Sequence, residues 1–434
     1  MKSFCSTINN LNKLNMISKY LMRKEYPQLL LTTLALLLVT IFFSAQPIHR
    51  PTVISSATIL WLVGLLCIPH YWKNRKYEKQ ELILYALGAI SFFTCLFSWL
   101  NSPYFDGSLN TLEPDARLLL FPLTVIAVRC SGLTFQHLAI GLLGGAIAYA
   151  WIAYTSTAHR VSGDENAVTF GNGAILLLVT SSCLAFFEKQ KLLKISLVIA
   201  SICYCYAAYR SGTRGNYLAF IPLVLLSIYF LSKRQRLAML LTLFIVGIAF
   251  SQSNITDRIT VSYNNFNNYI THQDYRSSTG QRLDMWKAAW CFNQESPLLG
   301  KGPHQFKEMI LDPERTCKIS VMNSKKYYAQ AHSFYFNALA TIGWLGLIST
   351  LLFFGMTAQY AWTLPLIAKV TIPATILTFL SYSITVDLLF QRFMADKHLT
   401  LLAILLGISL NYRKNKQEKP EVKTAGLLTP LDSR

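Results

Sequence analysis

Repeated apolar runs of about twenty residues constrain this chain more than any other feature. A helix needs roughly 20 mostly apolar residues to cross a hydrocarbon core about 30 Å thick. About twelve such runs can be counted, with starts near residues 28, 54, 82, 117, 134, 169, 192, 216, 237, 333, 366 and 396. The sequence therefore predicts an all-α polytopic membrane protein with about twelve transmembrane helices, of which the fourth and the last are short.

The composition excludes an ordinary soluble domain. The chain is 53% hydrophobic and only 14% charged, whereas soluble domains carry about 25% charged residues. Its formal net charge of +19 raises the question of a nucleic-acid partner, but the basic residues lie in short clusters between apolar runs and not along one face. We therefore expect membrane lipids, and no nucleic acid, among its partners.

The positions of lysine and arginine predict the orientation, because cytoplasmic loops are enriched in both. With twelve spans, every basic cluster falls on one side of the membrane. That side is predicted to be cytoplasmic and to hold both termini. The clusters are Lys13 to Lys24, Lys73 to Lys79, Lys189 to Lys194, Lys233 to Arg236, and Arg413 to Lys416.

The same reading divides the chain into five parts. Residues 1–27 form a cytoplasmic N-terminus, 28–251 hold spans 1–9, 252–332 form a large helical periplasmic loop, 333–412 hold spans 10–12, and 413–434 form a cytoplasmic basic tail. Ionisable residues stay near the predicted span ends. A coupled transporter would be expected to bury some of them near the midplane, so transport is disfavoured.

The periplasmic loop contains a helical pattern from Thr279 to Cys291. Thr279 is the expected N-cap, Arg282 would lie in the first turn, and Leu283, Met285 or Trp286, Ala289 and Trp290 would form an apolar stripe. The Pro- and Gly-rich stretch that begins at Ser296 should end this helix.

Two arginines flank a tight glycine-containing turn, at Arg210 and Arg214. Arg214 directly precedes a run predicted to be helical, and the free amides of a helix N-terminus favour an anion. Arginine suits phosphate because its planar fork donates two parallel hydrogen bonds. A diphosphate fits such a turn; the alternative is that both arginines anchor the chain to lipid headgroups.

His332 is the preferred candidate for a general base, since a histidine near its reference pKa of about 6.5 accepts a proton at neutral pH. An isolated histidine at a span boundary can also be a hydrogen-bonding interfacial residue. His272 and His304 lie in the same loop and stay open as rivals.

Cys291 and Cys317 are the two loop cysteines, and in an oxidising periplasm they are the natural disulfide pair. Sequence spacing does not show whether the two side chains can reach each other. No cluster of histidine or cysteine at ligand spacing and no nucleotide-binding loop is visible, so neither a metal nor another cofactor is expected.

Several short motifs occur in a fixed order along the chain. They are the turn Ser211 to Gly215, Arg282 followed by Trp286, the stretch Pro297 to Gly302, and Ala331 to Tyr335 ahead of Gly343 to Gly346. Together with about twelve spans, this set resembles the O-antigen ligase family.

The resemblance implies a function and a set of roles. Members of that family move a polysaccharide from undecaprenyl diphosphate to a sugar of the lipid A core, with inversion and without metal or nucleotide, at the periplasmic face of the bacterial inner membrane. Arg214 and Arg282 would then bind and neutralise the diphosphate, and His332 would be the base or would orient the acceptor hydroxyl. Arg210 lies next to the family's turn, and its substrate-binding role is inferred from charge and spacing alone.

Two related glycosyltransferases stay open as alternatives, the O-antigen polymerase and the protein O-oligosaccharyltransferase, which differ mainly in the acceptor. A transporter of lipid-linked sugars is disfavoured because it would need a polar path through the spans. The oligomeric state is not predicted.

Overall fold

The computed structural model describes residues 28–74, 78–164, 166–213, 215, 218, 232–233, 236–237, 255–272, 277–312, 329–387 and 392–418. Within these ranges the secondary structure is helical, without a strand. Seven of the described helices are long and apolar enough to cross a membrane. The protein is an all-helical polytopic membrane protein, as the apolar runs predict.

The helices of the N-terminal half follow one another with short connections. They are α1 (Gln28–Ala45), α2 (Arg50–Asn74), α3 (Lys79–Leu100), α4 (Ala116–Ser131), α5 (Phe135–Thr155), α6 (Ala167–Phe187) and α7 (Lys191–Ser211).

The C-terminal half contains three loop helices and three further apolar helices. They are α8 (Ile255–His272), α9 (Ser278–Glu295), α10 (Phe306–Leu311), α11 (Phe334–Ala361), α12 (Leu366–Tyr382) and α13 (Arg392–Glu418).

These bounds can be compared with the predicted spans. Described helices begin within a few residues of the predicted starts of spans 1 to 7 and 10 to 12, whereas spans 8 and 9, predicted to start near 216 and 237, lie outside the described residues. The count of twelve therefore stays a prediction. Helix α13 has 27 residues and continues to Glu418, beyond the predicted end of the last span and into the predicted basic tail.

Helix α4 lies at the centre of the packing, against α2, α3 and α13. It is short, with 16 residues and Pro122 inside, and it carries a buried arginine near each end. Arg117 donates to Asp396 of α13, with 2.9 Å between Nε and Oδ1. Arg129 pairs with Glu81 of α3, with 2.7 Å between Nη1 and Oε1. Both charges are neutralised inside the bundle, which buried ions require.

The loop helices have a small core of their own that joins the membrane helices. Buried apolar side chains of α9 and α10 meet there with Ala331 and with Ala340 of α11; those of α9 and α10 are Met285, Ala288, Ala289, Phe292, Phe306, Met309 and Ile310. The loop is thus packed onto α11 and is not a separate domain held only by its ends.

Helix α11 is interrupted at Gly343, whose φ of 65° and ψ of −168° are not helical. The backbone groups freed by this break bond to the stretch that follows α9: Trp344 N–H donates to the Pro297 carbonyl at 2.9 Å, and Gly302 N–H donates to the Thr341 carbonyl at 2.9 Å. Backbone polar groups at membrane depth must be satisfied by protein. The break therefore fixes the end of α9 against α11.

Close approach explains two of the glycines in these motifs. A Cβ at Gly343 would lie 2.3 Å from the Leu298 carbonyl oxygen, and one at Gly300 would lie 2.4 Å from the Thr341 carbonyl carbon. The motifs Pro297 to Gly302 and Gly343 to Gly346 therefore form one structural joint, although they are distant in sequence.

Candidate functional site

Helix α9 supplies Arg282. The helix begins two residues earlier than predicted, at Ser278, because Ser277 and not Thr279 caps it: the Ser277 side chain accepts from Gly280 N–H at 3.0 Å. Arg282 is consequently the fifth helical residue, at the start of the second turn, and its side chain is half-buried. The helix ends at Glu295, directly before the predicted break.

The face of α9 that packs inward also differs from the prediction. Met285, Ala289 and Phe292 are buried, but Trp290 is 46% exposed. Trp290 follows Ala289 by one residue, which rotates it about 100° away from the buried face. Arg282 and Trp286 share a face, as their spacing of four residues requires.

His332 lies in the connection to α11 in an unusual backbone conformation. Its φ is 50°, in the left-handed region that non-glycine residues rarely adopt. The flanking backbone is held on both sides: Ala331 N–H donates to Asn337 Oδ1 at 3.1 Å, and Phe334 N–H donates to the Ser383 carbonyl at 2.9 Å. These bonds hold the backbone on both sides of His332 and so support its strained conformation.

The fold brings Arg282 and His332 together. Burial lowers the pKa of His332 below its ordinary value, and the positive charge of Arg282 lowers it further. Both effects disfavour the protonated imidazolium. At neutral pH the ring is therefore neutral and able to accept a proton.

An aromatic pair supports this arrangement one turn further on. The rings of Trp286 and Phe336 stack with centroids 4.9 Å apart and planes 11° from parallel. Trp286 follows Arg282 by four residues, and Phe336 follows His332 by four. The stack therefore fixes the register of α9 against α11. Sequence analysis missed this contact because neither helix alone shows which aromatic faces which.

A second contact ties α8 to the same unit. Burial raises the pKa of the Tyr269 hydroxyl, and the neighbouring Asp284 carboxylate, which accepts a hydrogen bond from it, raises it further. Both side chains are buried. Asp284 lies two residues after Arg282 in α9, so α8 braces the helix that carries the arginine.

Arg210 is engaged with backbone carbonyls at the C-terminal end of α5. Its Nε donates to Ala153 O at 3.1 Å and its Nη2 to Ser156 O at 2.8 Å. A guanidinium at this position satisfies carbonyls that the helix leaves open. In this arrangement Arg210 holds the turn that follows it and does not present its whole fork to a ligand.

The turn after α7 is built on other contacts as well. Arg160 Nε donates to the Ser211 carbonyl at 3.1 Å, and the Thr213 hydroxyl donates to the Ala167 carbonyl at 2.9 Å. The turn is therefore fixed to the start of α6. Arg214 itself lies outside the described residues, so its predicted role stays a prediction.

Of the two loop cysteines, Cys291 is disulfide-bonded. Its partner lies outside the described residues, as does Cys317. The predicted pairing of Cys291 with Cys317 stays a prediction.

The rival histidines lie in different surroundings. His304 has a positive φ of 61°, and its Nε2 is 3.7 Å from Asp115 Oδ2, where it joins the loop to the start of α4. His272 is the exposed last residue of α8. Within the described part of the chain, His332 is the loop histidine whose pKa responds to Arg282.

These elements define a polytopic helical membrane protein with an arginine and a histidine brought together where its large loop meets the membrane helices. Residues 199–351 match the family model described as O-Antigen ligase. This segment contains Arg210, Arg214, Arg282 and His332, and its match confirms the resemblance to the O-antigen ligase family seen in the motifs. The family comprises glycosyltransferase-like enzymes of O-antigen and glycan assembly.

A relative in Haemophilus influenzae carries the description "Uncharacterized protein". It is 22% identical over 331 residues, which cover 73% of this chain and 82% of the relative. The similarity extends well beyond the segment that matches the family model.

Proposed function

We propose that this protein is an O-antigen ligase. It would transfer polysaccharide from undecaprenyl diphosphate to a sugar of the lipid A core, with inversion at the anomeric carbon and without a metal. The observation that carries the proposal is the placement of Arg282 beside His332, fifty residues apart in sequence, at the junction between the loop and the membrane helices.

His332 would act on the acceptor. A neutral imidazole can accept the proton of the acceptor hydroxyl as its oxygen attacks the anomeric carbon. The lowered pKa of His332 keeps the ring in this form at neutral pH. Hydrogen bonds of the backbone at Ala331 and Phe334 hold the segment that carries His332 in place before the reaction begins.

Arg282 would act on the leaving group. As the bond between the anomeric carbon and the diphosphate oxygen breaks, negative charge grows on undecaprenyl diphosphate, and a fixed guanidinium stabilises that charge. Arg214 is proposed to be a second guanidinium for the same diphosphate. Arg210 is proposed mainly to hold the turn that precedes Arg214, because two of its donors are bound to backbone carbonyls.

The proposed setting is the bacterial inner membrane, with both termini cytoplasmic and the site facing the periplasm. The charge bias of the loops supports this orientation. No ATP is available in the periplasm, and a diphosphate-linked donor brings its own leaving group. Holding two lipid-anchored substrates at one membrane face also lowers the entropic cost of bringing them together.

Deletion of the gene tests the reaction. A ligase predicts bare lipid A core, with long polymer accumulating on the carrier lipid. A core that carries a single repeat unit would indicate a polymerase instead, and unchanged lipopolysaccharide with unglycosylated proteins would indicate a protein O-oligosaccharyltransferase. Gel analysis of lipopolysaccharide, with chromatography of the undecaprenyl-linked glycan, distinguishes the three.

Complementation of the deletion tests the residues. His332→Ala, Arg282→Ala and Arg214→Ala should each leave the protein in the membrane and lower transfer by at least about 100-fold, the range typical of lost acid–base or charge stabilisation. Matched controls are His272→Ala and Lys287→Ala, an exposed histidine and an exposed cation of the same loop. Wild-type activity in any of the first three would remove that residue from the mechanism.

A further inference from the structure

Helix α8 carries an exposed apolar stripe. Tyr263, Phe266 and Ile270 are 64%, 45% and 58% exposed, and their spacing of three and four residues places them on one face of the helix. Large apolar side chains exposed in a continuous row on one helix normally mark a contact surface.

The opposite face of the helix, from Thr260 on, is mostly polar and uncharged, with Val261 as its exposed apolar residue. Asn264, Asn267 and Asn268 are exposed, and no charged residue occurs from Ile259 to Thr271. Amphipathic helices of this kind, with aromatic side chains on the apolar face, lie in the interface of a bilayer. An uncharged polar face fits a leaflet of either charge.

The height of the loop places α8 near the lipid headgroups. Lys301 N–H donates to the Ala340 carbonyl at 3.0 Å, and Ala340 follows the first residue of α11 by six positions, or about 9 Å along the axis. The part of α11 before the break at Gly343 runs from Phe334 to Ile342 and is about 13 Å long, well short of the roughly 30 Å of a hydrocarbon core. The loop unit therefore meets α11 near the end of the helix that begins at Phe334, close to the membrane surface on the His332 side.

The buried side of α8 keeps the stripe in register with the site. Tyr269 bonds to Asp284 of α9, and α9 is joined at its far end to the break in α11 through Pro297. The stripe and the side chain of Arg282 are thus parts of one packed unit.

The size of the stripe favours lipid over a protein partner. An 18-residue helix is about 27 Å long, and a stripe one or two side chains wide is far smaller than the roughly 800 Å² per partner of a stable protein interface. Lipid chains need no matched surface and cover such a stripe fully.

We propose that α8 lies in the boundary between headgroups and acyl chains of the leaflet at the His332 end, with Tyr263, Phe266 and Ile270 among the lipid chains. If the proposed function holds, this contact fixes the height of Arg282 and His332 relative to the lipids that carry the donor and the acceptor. This second statement rests on the proposed function; the first does not.

Photocrosslinking in phospholipid vesicles tests the contact directly. The full-length protein would carry p-benzoylphenylalanine at position 263, 266 or 270, with positions 264 and 268 as controls on the opposite face. Phospholipid adducts, detected by mass spectrometry, are expected at the first three positions and at least about fivefold weaker at the controls. Adducts to a second copy of the chain, or equal yields on both faces, would overturn the proposal.

Transfer assays test the consequence for the site. Phe266→Ser with Ile270→Ser should lower transfer from a full-length undecaprenyl donor about tenfold and leave transfer from a short-chain, water-soluble diphosphate donor unchanged. Asn264→Ser with Asn268→Ser should change neither rate. Equal losses with both donors would overturn the proposal that α8 sets the height of Arg282 and His332 relative to the lipids. Absence of transfer by the wild type from both donors would instead contradict the proposed function, and the lipid adducts would still decide the contact.

Discussion

Two arginines at different ends of the molecule face different partners. Arg129 lies at the C-terminal end of α4, where Glu81 neutralises it and the hydroxyls of Tyr71 and Tyr85 donate to the same carboxylate. Arg282 lies beside His332, whose protonation its charge opposes.

The difference distinguishes a charge that stabilises the fold from a charge that is placed to take part in a reaction. A buried ion pair of this kind holds α3 to α4, and breaking it leaves an uncompensated charge. His332 does not neutralise Arg282. The charge of Arg282 instead keeps the imidazole of His332 neutral. A cation beside a neutral base suits a substrate with an anionic leaving group and a hydroxyl that must lose its proton. The burial of a charge alone therefore does not identify a site; the group that faces it does.

The largest expected effect lies at the Arg129 end. Glu81→Leu should destabilise the folded protein by about 3–5 kcal/mol, since Arg129 would stay buried without its carboxylate. Thermal unfolding of the purified protein and its monodisperse fraction measure this. Transfer per folded molecule should not change.

A double variant is the control for that change. Glu81→Leu combined with Arg129→Met removes both charges and should recover most of the lost stability. A loss of transfer in the folded fraction of either variant would make the Arg129 end part of the function and break the comparison.

An intermediate effect is expected at the joint beneath the site. Gly343→Ala should cost about 1–3 kcal/mol, because its φ and ψ lie in a region open essentially to glycine and a Cβ would lie 2.3 Å from the Leu298 carbonyl oxygen. Thermal unfolding provides the readout, and transfer should fall as well because the joint positions α9.

Gly355→Ala is the matched control in the same helix. A Cβ there meets nothing within 4 Å, so the change should be neutral or should stabilise the protein by up to about 1 kcal/mol through helix propensity. Equal effects of the two substitutions would show that the break in α11 does not hold the loop.

The smallest effect concerns the pH dependence of transfer. Burial and the Arg282 charge lower the pKa of His332, so the neutral base should persist below the ordinary value of about 6.5, and the rate should fall only as the pH drops through this lowered pKa. Arg282→Gln removes one of the two causes. In a plot of rate against pH, the acid limb, where the residual activity of this variant falls as the pH drops, should therefore move to higher pH.

Arg282→Lys keeps the charge and serves as the control, with an acid limb close to that of the wild type. The measurement is the transfer rate between about pH 5 and pH 8. An unchanged limb in Arg282→Gln would mean that the arginine does not set the protonation of His332, and the contrast with Arg129 would rest on stability alone.

Much of this molecule could be predicted from local sequence. Apolar runs of about twenty residues admit few structures other than membrane helices, so helix starts such as those of α1, α6 and α12 were predictable within a few residues. Arg282 and His332 stood out because both belong to short motifs of the long polar loop, and histidine and arginine are suited to proton transfer and to phosphate binding.

Other features required the tertiary structure, because they depend on which distant backbones meet. The pairing of Pro297 with Trp344, the stack of Trp286 on Phe336 and the capping of α5 by Arg210 join segments that share no local pattern. Local sequence patterns were enough to predict a helical membrane protein and its candidate residues. Only the packing of α9 on α11 decided that Arg282 acts on His332, since a charge changes a pKa through distance and burial, and neither is written in the order of residues.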